Sequence, residues 1–307
     1  MNVEIFEMPL DYGASRHGSD MGPSAIRLAG LRQKIESLGH EITKNECPMK
    51  MDSKAVAQEF AEVGENPKAK YLGPIVEACT SLAQSVENCV NNGDFPLVLG
   101  GDHSIALGTI AGLSSAYKSS GKKMGILYVD AHGDFNTTET SPTGNIHGQC
   151  LSASAGYGIP ELVNLYKEGV KIDPNNICYV GLRDIDKGER ELMKQAGVTA
   201  WTMSDIDRLG FAEILKKVKL FFKTHCDVVH VSFDMDALDP MYAPGTGIPL
   251  PGGLNYREAL LLMEEMANLG TVGSAEIVEV NPVLDVRNQT ALMAVELVGR
   301  LFGDVIY

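Results

Sequence analysis

The sequence predicts an α/β fold with a mostly parallel sheet, and three observations carry that expectation. From about residue 95 onward, short apolar runs of strand length alternate with amphipathic runs of helix length. Five of the apolar runs stop directly at acids or histidines: "FPLVLGGDH", "MGILYVDAHGD", "NICYVGLRDID", "DVVHVSFDMD" and "SAEIVEVNP". No repeat, low-complexity tract or Pro/Ser-rich linker divides the 307 residues, so one domain spanning 1–307 is expected. Alternation of this kind implies right-handed βαβ crossovers and helices on both faces of the sheet. In such sheets ligands sit beyond the carboxyl ends of the strands, so the five endings aim their side chains at one pocket.

Taken in order, "VEIFEMP" reads as a first strand. Gly22-Pro23 opens a helix through Leu38, with Pro23 in the tolerated first turn and Gly39 as the stop. The polar stretch that follows, through about Asn66, carries weak signals. A long helix is expected from about Pro67 to Asn92, stopped by Gly93. Further strands are expected near 95–99, 125–130, 177–181, 198–202, 227–234 and 272–279. Helices are expected near 104–118, 148–155, 187–196, 211–224, 255–268 and 289–302. Two connectors, Asn136 to His147 and Asp236 to Gly253, are long and polar, as functional loops tend to be.

Composition narrows the partners. A formal net charge of −14 with no basic run argues against nucleic acid and anionic membrane; an acidic surface instead favours a cationic substrate, although a solvated acidic surface is the commoner explanation. The six cysteines (Cys47, Cys79, Cys89, Cys150, Cys178, Cys226) show no C-x-x-C spacing, so neither a zinc finger nor a disulfide framework is indicated. No basic-then-apolar leader and no bilayer-length apolar run is visible, and the expected location is the cytoplasm.

Asp130-Ala-His132-Gly-Asp134 places three potential ligands at alternate positions, which point the same way in extended chain. Asp234-Met-Asp236 repeats the device at another strand end, and His103 follows a Gly-Gly pair that permits a sharp turn. So many buried carboxylates are costly without a cation among them. Two histidines and four aspartates exceed what one ion takes and suit a pair of divalent ions bridged by carboxylates. Hard oxygen donors with single imidazoles favour manganese, so two Mn²⁺ per chain are expected. A lone Asp after a strand, such as Asp102, is usually a turn or cap residue.

With these residues in place, the segments "GGDHSIALG", "DAHGDFNT", "GNIHG", "SFDMDALDP" and "EVNP" resemble, in matching order, the signature blocks of the ureohydrolase family, and "SRHGSDMGPSAIRLAGL" is similar to the N-terminal segment of its arginase branch. The resemblance covers nearly the whole chain. It implies a three-layer αβα domain around an eight-stranded, mostly parallel sheet. It also implies that His103 and Asp134 hold one Mn²⁺, that His132 and Asp236 hold the other, and that Asp130 and Asp234 bridge them.

The chemistry implied is hydrolysis of a guanidinium, a poor electrophile whose charge is delocalised and always present at neutral pH. Glu279 ends a strand where its carboxylate would pair with that cation. Asp134 is placed to accept a proton from the attacking water, and by resemblance His147 serves as a proton shuttle or general acid. Without its "GNIHG" context, His147 would as readily be a surface loop histidine. For the far end of the substrate, resemblance assigns Asn136, Thr143 and Asn145 to an α-carboxylate, with Thr143 in place of the more frequent Ser. It assigns Asp186 to an α-ammonium, supported by Asp184 and Glu189. These three acids equally suit capping of the following helix. Cys150 stands where the family usually has Pro, and no base in the sequence marks it as a nucleophile. His230 shares strand parity with Asp234, so it either backs a ligand or is a satisfied core residue. His17, His40 and His225 read as surface residues.

L-Arginine is the leading substrate and urea and L-ornithine the products. Agmatinase or another guanidino-compound hydrolase is the runner-up, separated by whether the Asn136–Asn145 loop reads a carboxylate. A deacetylase on a related fold would use one metal, which the paired ligand sets disfavour. A non-catalytic arginine- or cation-binding protein is the remote alternative. Arg257 and Glu258 in "NYREAL" resemble an inter-subunit ion-pair segment, implying a homotrimer or homohexamer, although a solvated helix start explains the same pair.

Overall fold

Strands β3 (Phe95–Gly100), β4 (Met124–Val129), β5 (Ile177–Leu182) and β7 (Val228–Asp234) are buried at every residue, as continuous apolar runs in a parallel sheet must be. The computed structural model describes residues 1–49 and 67–307. With β1 (Asn2–Met8), β2 (Glu41–Glu46), β6 (Thr199–Thr202) and β8 (Val272–Val278) they form one eight-stranded sheet, in the order β2-β1-β3-β8-β7-β4-β5-β6. Every neighbouring pair is parallel.

Alternation along the strands feeds two cores. Leu97, Leu99, Leu127, Val129, Val180, Val231 and Phe233 face one layer, with Ile26, Ile35, Val218, Phe222, Leu260, Met263 and Leu297 from the helices that cover it. Val98, Ile126, Tyr128 and Tyr179 face the other, with Ile75, Leu82 and Val86 of the Leu72–Asn92 helix and Ile110 and Leu113 of the Ala106–Ser119 helix. Each fully buried large side chain contributes on the order of 1.5–3 kcal/mol. The three-layer αβα expectation holds.

The connectivity explains where a ligand can sit. β1, β2 and β3 occupy one side of the sheet and β4, β5 and β6 the other, and the chain returns with β7 and β8 to fill the middle. The carboxyl ends of β3, β8, β7, β4 and β5 are therefore consecutive across the sheet. These are the five acid-bearing endings.

Several expectations need correction. The helix expected over 22–38 is two helices, Gly22–Leu28 and Leu31–Ser37, because Gly30 takes a left-handed φ of 95° between them. The weak polar stretch begins with β2, an edge strand whose mostly polar residues hid it; residues 50–66 of the stretch lie outside the described residues. The long helix starts at Leu72 rather than Pro67. The Met203–Leu209 helix was not foreseen, although Thr202 and Asp205 form its capping box. His40 is half-buried rather than a surface residue, with its Nε2 2.8 Å from the Phe302 carbonyl. Among the described residues no helix is long and apolar enough to cross a membrane, and all six cysteines are free thiols.

Candidate metal centre and active site

His103 enters the site through a turn that only glycine permits, since a Cβ on Gly101 would stand 1.8 Å from the Leu10 carbonyl oxygen. Asp102 is the cap that its position suggested: its carboxylate accepts from the Gly13 and Ser104 amides at 2.7 and 2.9 Å. His103 then turns inward, fully buried. Its Nδ1 lies 3.1 Å from Asp130 Oδ2, 3.1 Å from Asp134 Oδ2 and 3.2 Å from Asp234 Oδ2. His132 Nδ1 lies 3.2 Å from Asp236 Oδ2 and 3.5 Å from Asp130 Oδ1. Two ligand-competent sets result, His103–Asp130–Asp134 and Asp130–His132–Asp236, with Asp130 common to both. Asp234 stands at the same focus through its contact with His103.

The electrostatics fit cations at this focus. Burial, and then the neighbouring carboxylates, raise the pKa of Asp130 and Asp234. Burial also opposes charge on Asp134 and Asp236, but the adjacent imidazoles prevail and hold both below the usual carboxylate value. Against burial, the same acids raise His103 and His132 well above an ordinary imidazole. With only protein atoms present, two protonated imidazoles supply the positive charge that four aspartates demand. Asp130 Oδ2 is buried and has the charge of His103 Nδ1 at 3.1 Å but no hydrogen bond of good geometry, a place that a cation would satisfy better. The donor set is oxygen and imidazole nitrogen without thiolate, which suits a hard or borderline divalent ion.

Behind His103 runs a buried chain of polar groups. Its Nε2 lies 2.8 Å from Ser232 Oγ, Ser232 donates to Glu276 Oε1 at 2.7 Å, and His230 Nε2 stands 3.4 Å from the same oxygen. His230 is thus a core residue, its Nδ1 2.9 Å from Ser274 Oγ, that stands behind a candidate ligand through two others. Arg183 was missed by sequence reasoning; its guanidinium donates to the carbonyls of Asp236, Ala237, Leu238 and Leu250 at 2.7–3.2 Å and holds the start and end of the second long loop together. "GLRDID" sits at a strand end, and that was the only signal available.

The focus forms the floor of a cavity of about 260 Å³, and Asn136, Thr143, Asn145, His147, Asp184, Asp186, Glu189 and Glu279 all line it. Glu279 holds a left-handed φ of 63° at the end of β8, and its Oε1 accepts from the His103 amide at 3.0 Å and faces His147 Nδ1 at 3.2 Å. Burial disfavours a charged His147, yet Glu279 raises its pKa to about 9. Asp184 and Asp186 are exposed at the mouth. Asp186 caps the Lys187–Ala196 helix in a capping box with Glu189. Glu189 is buried, with its oxygens accepting from the Phe135 and Asp186 amides, so it braces the wall of the cavity. Burial pushes its carboxyl up to about 8. Asn136 donates to Asp186 at 3.0 Å, and Asn145 donates to Ser15 at 2.8 Å while accepting from Lys70 Nζ at 3.3 Å. Lys70 had no signal in the sequence, and Ser15 only its place at the start of "SRHGSDMGPSAIRLAGL", because the loop contacts that recruit them are long-range.

The sequence profile of the arginase family matches residues 1–303. The chain belongs to the arginase family. It is 44% identical over 303 residues to the arginase of Bacillus caldovelox, covering 98% of each chain. The crystal structure of arginase from Bacillus cereus superposes with a TM-score of 0.91 at 42% identity, covering all of both chains. That of Entamoeba histolytica arginase in complex with L-ornithine superposes with a TM-score of 0.87 at 30% identity, covering 99% of this chain and 98% of that one. Within this arginase-family fold, the five strand ends read from the sequence are the ones that meet.

Proposed function

We propose that this protein is an arginase, a hydrolase that converts L-arginine and water to L-ornithine and urea at a site holding two Mn²⁺. The observation that carries the reading is the pair of ligand sets sharing Asp130 at the floor of a cavity whose wall bears Glu279 and His147. His103, Asp134 and the shared Asp130 and Asp234 would hold one ion, and His132, Asp236 and the same shared pair the other. When bound, the metal pair supplies Lewis acidity, so that water becomes a competent nucleophile near neutral pH.

The protein's own groups do the rest. The Glu279 carboxylate pairs with the guanidinium and fixes its carbon above the floor. Asp134 accepts a proton at its carboxylate as water adds, and returns it to the departing nitrogen. His147, charged at neutral pH beside Glu279, gives the leaving amine its second proton at the mouth and is recharged from solvent, to which the water's other proton passes. At the outer end, Asn136, Thr143 and Asn145 receive the α-carboxylate and Asp186 the α-ammonium, with Asp184 alongside and Glu189 bracing from behind. The support for a carboxylate receptor is that each Asn amide has two hydrogens and uses one on the protein. Lys70 adds positive charge behind Asn145.

The same reading takes the chain as one domain working in the cytoplasm as a homotrimer or homohexamer. Val283, Leu284, Val286 and Leu292 stay exposed within ten residues of one another, which supports association. The support from Arg257 and Glu258 is weaker, because Glu258 closes a capping box with Asn255. A monomer mass by light scattering at micromolar concentration would count against the assembly. Urea release by manganese-loaded protein from arginine, agmatine and guanidinobutyrate tests the function: activity on arginine alone supports it, and equal or greater activity on agmatine reassigns it.

A further inference from the structure

Tyr128 lies two residues before Asp130 on β4 and is fully buried. Its ring stacks on the His103 imidazole with centroids 4.6 Å apart and planes 4° from parallel. Its hydroxyl donates to Asp134 Oδ2 at 2.8 Å. The only other polar neighbour recorded for that hydroxyl is Cys150 Sγ at 3.4 Å, and a thiol is a poor acceptor. A buried hydroxyl turned from a carboxylate toward a thiol would forfeit a strong charge-assisted bond, so the phenol is held on Asp134. Tyr179 packs edge-on against the ring at 5.3 Å and donates its own hydroxyl to the Gly133 carbonyl at 2.7 Å, which locks the ring from the other side.

Asp134 needs such support. Its backbone holds a φ of 50°, a conformation that persists only where surroundings over-determine it. The Leu151 and Ser152 amides fix its carbonyl at 3.1 and 3.3 Å, but among the described residues the carboxylate has only two neutral donors, the Tyr128 hydroxyl at 2.8 Å and, as a weak one, the Cys150 thiol at 3.9 Å.

We propose that Tyr128 is a positioning residue of this centre, fixing with one side chain both the plane of His103 and the rotamer of Asp134. In the arginase reading, on which this rests, those two residues hold the same cation. One phenol therefore sets the geometry of one metal site and leaves the other, built on His132 and Asp236, untouched. Of the groups that line the cavity it hydrogen-bonds Asp134 and none of those assigned to the substrate's outer end, so its effect belongs on metal affinity and turnover rather than on arginine binding.

The test is manganese titration of the full-length protein followed by electron paramagnetic resonance, alongside steady-state kinetics. Tyr128→Phe keeps the stack and removes only the hydroxyl. It is expected to weaken one of two manganese-binding events by about 10- to 100-fold, the range for groups that support a ligand, and to leave the other within about threefold. kcat should fall about tenfold while KM for arginine changes less than about twofold. In an Asp134→Asn background the same change should have no further effect on manganese affinity, because the phenol acts through that carboxylate. In the wild type alone, manganese addition should give a near-ultraviolet tyrosine difference spectrum, a reading that survives if Tyr128→Phe fails to fold. Wild-type affinities in Tyr128→Phe, equal weakening of both sites, or additive losses with Asp134→Asn overturn the proposal and leave the arginase reading standing. A wild type that binds no manganese overturns both.

Discussion

His103 Nε2 donates to Ser232 Oγ at 2.8 Å, and the direction of that bond is fixed by what lies beyond it. Ser232 must give its own proton to Glu276 Oε1 at 2.7 Å. Burial would neutralise Glu276, but His230, by hydrogen bond and charge, holds its pKa below the ordinary value, so it is an acceptor only. One hydrogen of the imidazole is thereby placed on Nε2, so that Nδ1 is the nitrogen turned to the carboxylates: it donates to them while the ring is charged, and its lone pair would be free for a cation once that proton is lost.

Ser232→Ala should remove that restraint. The protein should fold and lose about 1–3 kcal/mol of stability for the buried groups left unpaired. Manganese affinity should fall about 10- to 100-fold at one of the two sites. Denaturant melts and a manganese titration measure the two effects separately; a variant that loses stability but keeps wild-type affinity shows that the tautomer is set elsewhere.

Asp134→Asn preserves shape and most of the coordination while removing the proton acceptor. Turnover should drop on the order of 10³ or more, a barrier increase of several kcal/mol. Two manganese ions per chain should still be found by metal analysis at saturation. Near-native turnover, or one ion per chain in the wild type, would contradict the role assigned to this carboxylate.

The His147–Glu279 pair makes metal-free stability depend on pH. His147 rises from 6.5 to about 9 in the folded chain, although burial alone would lower it, because Glu279 faces it at 3.2 Å. A raised pKa means that the folded state holds the proton more tightly. The stabilisation is therefore complete below about pH 6.5 and is lost as pH rises through about 9. In metal-free protein the melting temperature of the wild type should exceed that of His147→Gln most at about pH 6, and the gap should close by about pH 10. A gap independent of pH would mean that the imidazole acts there by packing alone.

What was legible in the sequence divides along a physical line. Buried strands announced themselves because parallel strands covered on both faces need uninterrupted apolar runs, and their ends carried the six candidate ligands within a few residues of each run. β2 was not legible, since an edge strand alternating Glu, Thr and Asn has no apolar face to betray it. The supporting groups were hidden for a different reason. Tyr128 reads as one more strand aromatic, and Ser232 and Glu276 as polar interruptions on two separate strands. Only the pairing of β7 with β8, which sets Ser232 opposite Glu276, turns them into a unit. Lys70 reaches Asn145 across 75 residues, a contact that no local pattern encodes.

The arginase reading predicts strong preference for L-arginine over agmatine, which lacks the α-carboxylate. With arginine bound, the free amide hydrogens of Asn136 and Asn145 and the Thr143 hydroxyl have an anion to meet, and Lys70 Nζ, 3.3 Å behind Asn145 Oδ1, adds favourable charge. With agmatine those donors face an apolar hydrogen, and each bond left unmade costs about 1–3 kcal/mol. Discrimination of this kind can reach roughly 10⁴-fold. Water at the mouth, where Asp184 and Asp186 are exposed, replaces part of the lost contact and brings the ratio below that ceiling. Asn145→Ala should lower kcat/KM for arginine much more than for agmatine, since it removes a donor and frees Ser15 and Lys70 together. Thr143→Ser keeps the hydroxyl and should be mild. Lys70→Met should raise KM for arginine several-fold at low salt with kcat unchanged, and the difference should shrink as ionic strength rises, because a charge at the mouth is screened. Comparable kcat/KM for the two substrates in the wild type, or equal losses on both in Asn145→Ala, would move the assignment to agmatinase.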